Sequence, residues 1–323
     1  MEKKNEIIIA LVGPTGSGKT ELAISLAKKF RGEIISADSR TVYQGLDIGT
    51  AKPAAENSEQ KTVNRNVTEP LVVEGINHYL IDVADPKKDV YTVKDFQRDA
   101  KENIKLILKK GRVPFIVGGT YFYIKALLEG YRLMPQDRDE TAKIRKRLEE
   151  EDLNQLLTRL KKIDLKTWRK IDWKNKRKVI RALEVYQISG KKFSNLQKKS
   201  PLPYHVLKIG LRKGREEQYL RIDERTKSWF DRGIIFEVEH LLKKGVPYAR
   251  FKEFGLEYKL IAEYLKEDLK ISEPELKQQI NYSLHDLVRR QETWLRKDKE
   301  IEWVESEKDA QRLVVEALKN IRH

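Results

Sequence analysis

Along the first part of the chain, short apolar runs alternate with longer stretches whose apolar residues recur every three or four positions. Residues 7–12 (Ile-Ile-Ile-Ala-Leu-Val) are a largely β-branched run ending at Gly13, which reads as a buried strand. Residues 20–30 follow with a helical pattern, and 33–37 and 77–83 read as two further short strands. In 91–110, Phe96, Ala100, Ile104 and Leu108 fall on one helical face. Thr92 and Asp95 are spaced as a capping pair, and Gly111 stands as the stop. Residues 113–117 form another buried strand, broken by Gly118-Gly119. Strand and helix in this rhythm predict parallel βαβ units.

The rhythm changes after Pro135. Residues 137–187 are helical in composition, highly charged and free of glycine, and a strand pattern returns only at 205–211. The expected architecture is an α/β fold: a P-loop NTPase-like parallel sheet core, residues 1–135 and 204–323, with an inserted all-helical domain at 136–203. Helices at 215–232 and 274–297, a late strand at 301–304 and a closing helix complete the core. Gly255 starts or interrupts another helical stretch. Residues 54–67 are polar and patternless and read as a loop.

Composition narrows the function. The 323 residues contain no cysteine, which excludes disulfides, zinc-thiolate sites and iron–sulfur clusters. The five histidines, His78, His205, His240, His285 and His323, lack metal-ligand spacing. No apolar run is long enough to span a membrane, so a cytoplasmic protein is expected. The formal net charge is +16. Between residues 159 and 199, fifteen Lys/Arg face three acids, Asp164, Asp172 and Glu184. So concentrated a surplus points to a surface that tracks a phosphate backbone. Trp168, Trp173 and Tyr186 interleave with it; they could stack bases, but the core of the helical insertion is the favoured place for them.

Gly13-Pro14-Thr15-Gly16-Ser17-Gly18-Lys19-Thr20 matches G-x-x-x-x-G-K-[ST], with a strand before it and a helix after. Such a loop turns its N–H groups onto one anion, a helix N-terminus adds partial positive charge, Lys19 supplies a mobile full charge and Thr20 can ligate Mg²⁺. The strand 113–117 ends in Gly118-Gly119-Thr120 with no carboxylate, unlike the Mg²⁺-holding strand of phosphoryl-transfer enzymes. Asp38 follows the strand 33–37, at the carboxyl end where open α/β sheets place ligands. A carboxylate there serves as general base, Mg²⁺ partner or helix cap.

These residues carry a resemblance. The run from Asp38 to Pro53, Asp-Ser-Arg-Thr-Val-Tyr-Gln-Gly-Leu-Asp-Ile-Gly-Thr-Ala-Lys-Pro, resembles the signature of tRNA dimethylallyltransferases. So do His78-Tyr79-Leu80-Ile81-Asp82, Val117-Gly118-Gly119-Thr120, Arg181-Ala182-Leu183-Glu184-Val185 and the segment from Arg289 to Arg296, in family order. The resemblance implies transfer of a dimethylallyl group from dimethylallyl diphosphate to N6 of adenosine 37, beside the anticodon, in tRNAs reading codons that begin with U. It implies that the P-loop grips the diphosphate, with Mg²⁺ as cofactor. Asp38 would be the general base, with Thr120, Lys19 and Arg225 beside the diphosphate. The tRNA anticodon stem-loop would be met by Asp38, Ser39, Arg40, Thr41, Gln44, Lys143, Arg177, Lys178, Arg181, Lys252, Gly255, Arg289, Arg290, Gln291, Trp294 and Arg296. For Trp294 itself, core packing is favoured over stacking. A monomer is expected. The alternatives are a P-loop small-molecule kinase, an adenylate isopentenyltransferase acting on free nucleotide, and a non-enzymatic RNA-binding protein.

Overall fold

The computed structural model of the chain describes residues 4–54, 56, 66–133, 138–196 and 199–322. Among the described residues, seven strands form one sheet: β1 (Lys4–Val12), β2 (Gly32–Ser36), β3 (Leu71–Val73), β4 (Ile76–Tyr79), β5 (Val113–Val117), β6 (Tyr204–Leu211) and β7 (Ile301–Val304), in the order β3-β4-β2-β5-β1-β6-β7. β1 is the hub, pairing in parallel with β5 (Ile9 opposite Phe115) and with β6 (Ile9 opposite Leu207). Ile8, Ile9, Ala10 and Leu11 are fully buried, as a strand covered on both faces requires.

Two departures from the sequence reading lie at one edge. The sheet is not wholly parallel, because β3 runs antiparallel to β4. Glu74 and Gly75 both have positive φ (49° and 74°), which turns the chain back in two residues. The strand expected at 77–83 stops at Tyr79, because Leu80 (φ 62°) and Asp82 (φ 58°) turn out of the sheet. Residues 82–84 instead bond to the loop after β2: Asp82 N–H donates to Thr41 O at 3.1 Å and Ala84 N–H to Val42 O at 2.9 Å. Most of the loop read at 54–67 lies outside the described residues.

The chain falls into two compact units, Met1–Leu128 with Pro203–His323, and Glu129–Leu202. In the first, α1 (Lys19–Lys29), α2 (Val93–Lys109) and α3 (Tyr121–Leu128) follow their strands. Thr92 and Asp95 form the expected capping box on α2, and Gly111 (φ 65°) follows its end. The second unit holds α4 (Arg138–Glu150), α5 (Leu153–Ile163), α6 (Leu165–Lys170), α7 (Lys176–Ser189) and α8 (Phe193–Leu196) around Leu148, Leu156, Leu160, Val179, Ile180 and Leu183. The first unit resumes with α9 (Arg215–Asp231), α10 (Ile234–Lys243), α11 (Phe251–Phe254), α12 (Leu256–Leu265), α13 (Glu273–Leu295) and α14 (Glu307–Arg322). Gly255 (φ 136°) separates α11 from α12. The helices α9 to α13 bury a second core, with Ile222, Trp229, Tyr258 and Leu284, against the loop at Val42, Tyr43 and Leu46. That packing sets α9 and α13 beside the carboxyl ends of the strands. No helix among the described residues is long and apolar enough to cross a membrane.

Candidate functional site

The loop between β1 and α1 curls through Gly16 (φ 79°) and Gly18 (φ 87°), a backbone that costs a side-chain-bearing residue dearly. Gly18 sits as the helix N-cap with no side chain to occupy the first-turn N–H groups, so these stay available to a ligand. Ser17 is buried, and Lys19 Nζ folds back onto Pro14 O at 2.6 Å and Ser17 Oγ at 3.3 Å. The cradle opens on a cleft of about 900 Å³ whose lining includes Lys19, Thr20, Asp38, Gly118, Arg221 and Arg225.

The facing wall is a zip between two loops. Thr120 N–H donates to Ala37 O at 3.2 Å, and Ser39 N–H donates to Thr120 Oγ1 at 3.0 Å. Gly118 lies so close to the Ala37 carbonyl that a Cβ would collide with it, so this glycine is needed for the approach of two chains. Asp38 Oδ1 accepts the Arg40 N–H at 2.9 Å, fixing a turn where the sequence left a helix cap open; no helix follows. Its Oδ2 has no hydrogen-bond partner among the described residues. Asp38 thus stands on the cleft with one oxygen anchored and one available.

The electrostatics are uneven. The Lys19 ammonium is pushed down to about 8, by burial first and then by the Arg225 guanidinium, with Asp38 and Glu21 opposing. Arg225 is itself lowered by burial and by Arg40. Its guanidinium rests 4.9 Å over the Trp229 ring, and its buried Nε has no partner among the described residues. Asp38 and Glu21 act on both cations without offsetting their burial, and neither cation has an ion pair with a carboxylate among the described residues; two such buried cations are costly unless an anion joins them. Arg40, by contrast, is raised: burial pulls it down, but Glu257, Asp38 and Tyr258 together outweigh that, and Arg40 and Glu257 form an ion pair inside the protein.

Of the residues expected to meet RNA, several are turned inward. Thr41 is buried with Oγ1 on Ser36 Oγ (3.0 Å), Gln44 donates to Asp82 O (3.1 Å), and Gly255 backs onto Arg40. Gln291 accepts the Thr15 N–H (2.9 Å) and donates to Gly119 O (3.3 Å), at the cradle itself. Lys252, Arg289, Arg290 and Arg296 are exposed, Arg289 paired with Asp286 and Arg296 with Glu292. Trp294, expected in a core, is 55% exposed. In the helical unit, Lys143, Arg177 and Lys178 are exposed, while Arg181 reaches Glu184 at 3.1 Å. Glu184 is fully buried and is also gripped by Arg145. The expected aromatic core is split: Trp168 packs on the helical core, but Trp173 leans on it with ring centroids 4.5 Å apart and stays 47% exposed. Gln218, Arg221 and Glu224 went unnoticed in the sequence. They lie seven, four and one residues before Arg225 on α9, and the first two share its helix face.

A magnesium ion would fit here only in part as a protein-held ion. Among the described residues, no group of three or more His, Cys, Asp or Glu could hold a metal. Thr20 faces the cleft with Glu21 and Glu224 on its lining. This set suits a hydrated Mg²⁺ shared between the Thr20 hydroxyl and ligand oxygens.

The sequence model of the IPP transferase family matches residues 41–298; the P-loop before that span stands on its own geometry. The tRNA dimethylallyltransferase of Thermomicrobium roseum is 39% identical over 302 residues, covering 93% of this chain and 86% of that one. That of Pelotomaculum thermopropionicum is 37% identical over 311 residues, 95% of this chain and 93% of that one. Among solved structures, the full-length tRNA isopentenylpyrophosphate transferase from Bacillus halodurans superposes with TM-score 0.68 at 30% identity, covering 99% of this chain and 98% of that one. A eukaryotic dimethylallyltransferase acting on tRNA gives 0.69 at 26% identity, covering 90% and 70%. With these relatives spanning nearly its whole length, the chain belongs to the IPP transferase family.

Proposed function

We propose that this chain is a cytoplasmic tRNA dimethylallyltransferase that moves the dimethylallyl group of dimethylallyl diphosphate onto N6 of adenosine 37, beside the anticodon of tRNAs reading codons that begin with U. The observation that carries the reading is the pair of buried cations Lys19 and Arg225 at the P-loop, both lowered despite nearby acids, with Asp38 on the same cleft. A carboxylate beside a diphosphate grip suits nucleophile activation with diphosphate as leaving group.

In the reaction, the C1–O bond of the allylic diphosphate breaks as N6 of the adenine bonds to C1. Negative charge builds on the diphosphate, where Lys19, Arg225 and the P-loop N–H groups stabilise it. The Asp38 oxygen left without a partner accepts the N6 proton. Thr120 holds Ser39, and through it the turn that aims Asp38. The adenine leaves its stack to enter the cleft. Mg²⁺ on Thr20 would neutralise diphosphate charge. Exposed Lys143, Arg177 and Lys178 of the helical unit, and Lys252, Arg289, Arg290 and Arg296 of the core unit, offer cations to the tRNA backbone.

A kinase or a transferase on free nucleotide would share the P-loop, but family membership and the basic helical unit do not favour them. The test incubates the protein with Mg²⁺, dimethylallyl diphosphate and an unmodified anticodon stem-loop, then weighs the nucleosides. A dimethylallyl gain on RNA adenosine, absent with free AMP, is expected. No gain on RNA, with AMP or a small phosphate acceptor modified instead, would overturn the reading.

A further inference from the structure

Two glutamines touch the P-loop, and both touch the same residue. Gln291 of α13 accepts the Thr15 N–H through Oε1 at 2.9 Å. Gln218 of α9 donates to the Thr15 carbonyl through Nε2 at 2.7 Å. The Gln291 amide is held the right way round, because its Nε2 reaches Gly119 O at 3.3 Å. Gln218 is 1% exposed, so its amide has no solvent to satisfy it in place of Thr15.

The consequence follows from peptide geometry. All described peptide bonds are trans, so the N–H and C=O of one peptide point opposite ways. Drawing the Thr15 N–H to Gln291 turns the Pro14 carbonyl the other way, and that carbonyl is the one that receives Lys19 Nζ at 2.6 Å. Drawing the Thr15 carbonyl to Gln218 likewise turns the Gly16 N–H away from α9's side chain, and no described protein group accepts that N–H. Gly16 cannot set this geometry unaided, since glycine at φ 79° has alternatives on both sides of the map.

We infer that Gln218 and Gln291 are positioning residues that lock the two peptides flanking Thr15, so that the Lys19 ammonium and the Gly16 N–H meet the diphosphate without reorganisation. Gln291 does this from a helix whose neighbouring residues, Arg289 and Arg290, are exposed, and its amide is committed inward. Its bond to Gly119 also ties the cradle to the loop that carries Thr120. The inference rests on the diphosphate reading of the P-loop, but part of its test does not need turnover.

The test uses the full chain with Gln218→Met and Gln291→Met, near-isosteric changes that fill the space and remove the hydrogen bonds. Three quantities are read: the Kd of inorganic diphosphate with Mg²⁺ by calorimetry, kcat and KM for transfer to an anticodon stem-loop, and Tm. Each variant should lower kcat about tenfold or more and weaken diphosphate binding, with the KM for RNA and the Tm little changed. Gln291→Glu, which keeps the acceptor for Thr15 N–H but loses the donor to Gly119, should bind diphosphate less well than wild type. Wild-type diphosphate affinity and kcat in both Met variants would overturn the inference. So would a loss that follows a falling Tm and appears equally in the KM for RNA, since that is a structural role alone. If the wild-type protein transfers nothing to RNA, the function reading fails, and the diphosphate Kd still decides the glutamines.

Discussion

The cleft and the helical unit treat positive charge in opposite ways. At the cleft, Lys19 and Arg225 are drawn in and lowered, by burial first and then by a neighbouring arginine, Arg225 for Lys19 and Arg40 for Arg225, with the nearby acids not making up the difference. In Glu129–Leu202, Lys143, Lys174, Arg177 and Lys178 stay in solvent; of the buried acids among the described residues, Glu184 is matched by two arginines and Asp164 by hydrogen bonds from Thr167 and Ser194. A buried cation is expensive, so it belongs where a ligand arrives at one fixed point. An exposed cation costs little and suits a flexible polyanion gripped at many points. Charge therefore marks both regions, but only its burial tells the reacting centre from the gripping surface.

The largest effect should come from removing a buried cation. Arg225→Ala is expected to lower transfer by about 10²- to 10³-fold while the Kd for the stem-loop stays put, as steady-state kinetics and filter binding would show. An equal loss of RNA affinity would blur the division of labour. Next come the exposed cations. Gln in place of Lys174, Arg177 and Lys178 should make the log Kd against log salt plot shallower by roughly 0.7–0.9 for each RNA phosphate that is no longer neutralised, with kcat at saturating RNA unchanged. An unaltered slope would move the RNA surface off α7. Trp173→Ala sharpens the same contrast. If the exposed indole stacks a base, RNA binding weakens by about 1–3 kcal/mol and Trp173→Phe recovers most of it; identical affinities for all three would make it a packing residue.

The smallest effect is a pH dependence. Lys19 is pushed down to about 8, and under the proposed function diphosphate binds the protonated form. Raising pH through 8 removes that proton, so kcat/KM for the donor should fall on the basic side with a midpoint near 8. The KM for RNA should not follow it. A donor profile flat to about pH 10 would mean that Lys19 stays charged, as an unperturbed lysine does.

Much of this was legible in the sequence wherever function needs a fixed local spacing. The P-loop, the Thr92–Asp95 capping box and the run after Asp38 are contiguous, and the backbone conformations they need follow from the residues themselves. The β3–β4 hairpin was missed because a three-residue strand has no periodicity to show, although Glu74-Gly75 was a turn signal. Gln218, Arg221 and the inward turn of Gln291 depend on helices packed from far along the chain, as the Thr15 bonds to Gln218 and Gln291 show. Composition alone cannot tell which face of α9 or α13 is drawn in. Trp294 and Trp173 were expected in cores because tryptophan usually is; Trp173 lies outside the small helical core on which Trp168 packs, and Trp294 sits on the exposed face of α13.

The central claim is that Asp38 does chemistry in the cleft and is not needed for grip. Asp38→Asn keeps the side chain's shape and its acceptor for the Arg40 N–H. Measured by single-turnover transfer alongside Kd values for stem-loop and inorganic diphosphate, the variant should bind both as wild type does and transfer about 10²- to 10⁴-fold more slowly. Transfer at the wild-type rate would remove Asp38 as the base and contradict the account.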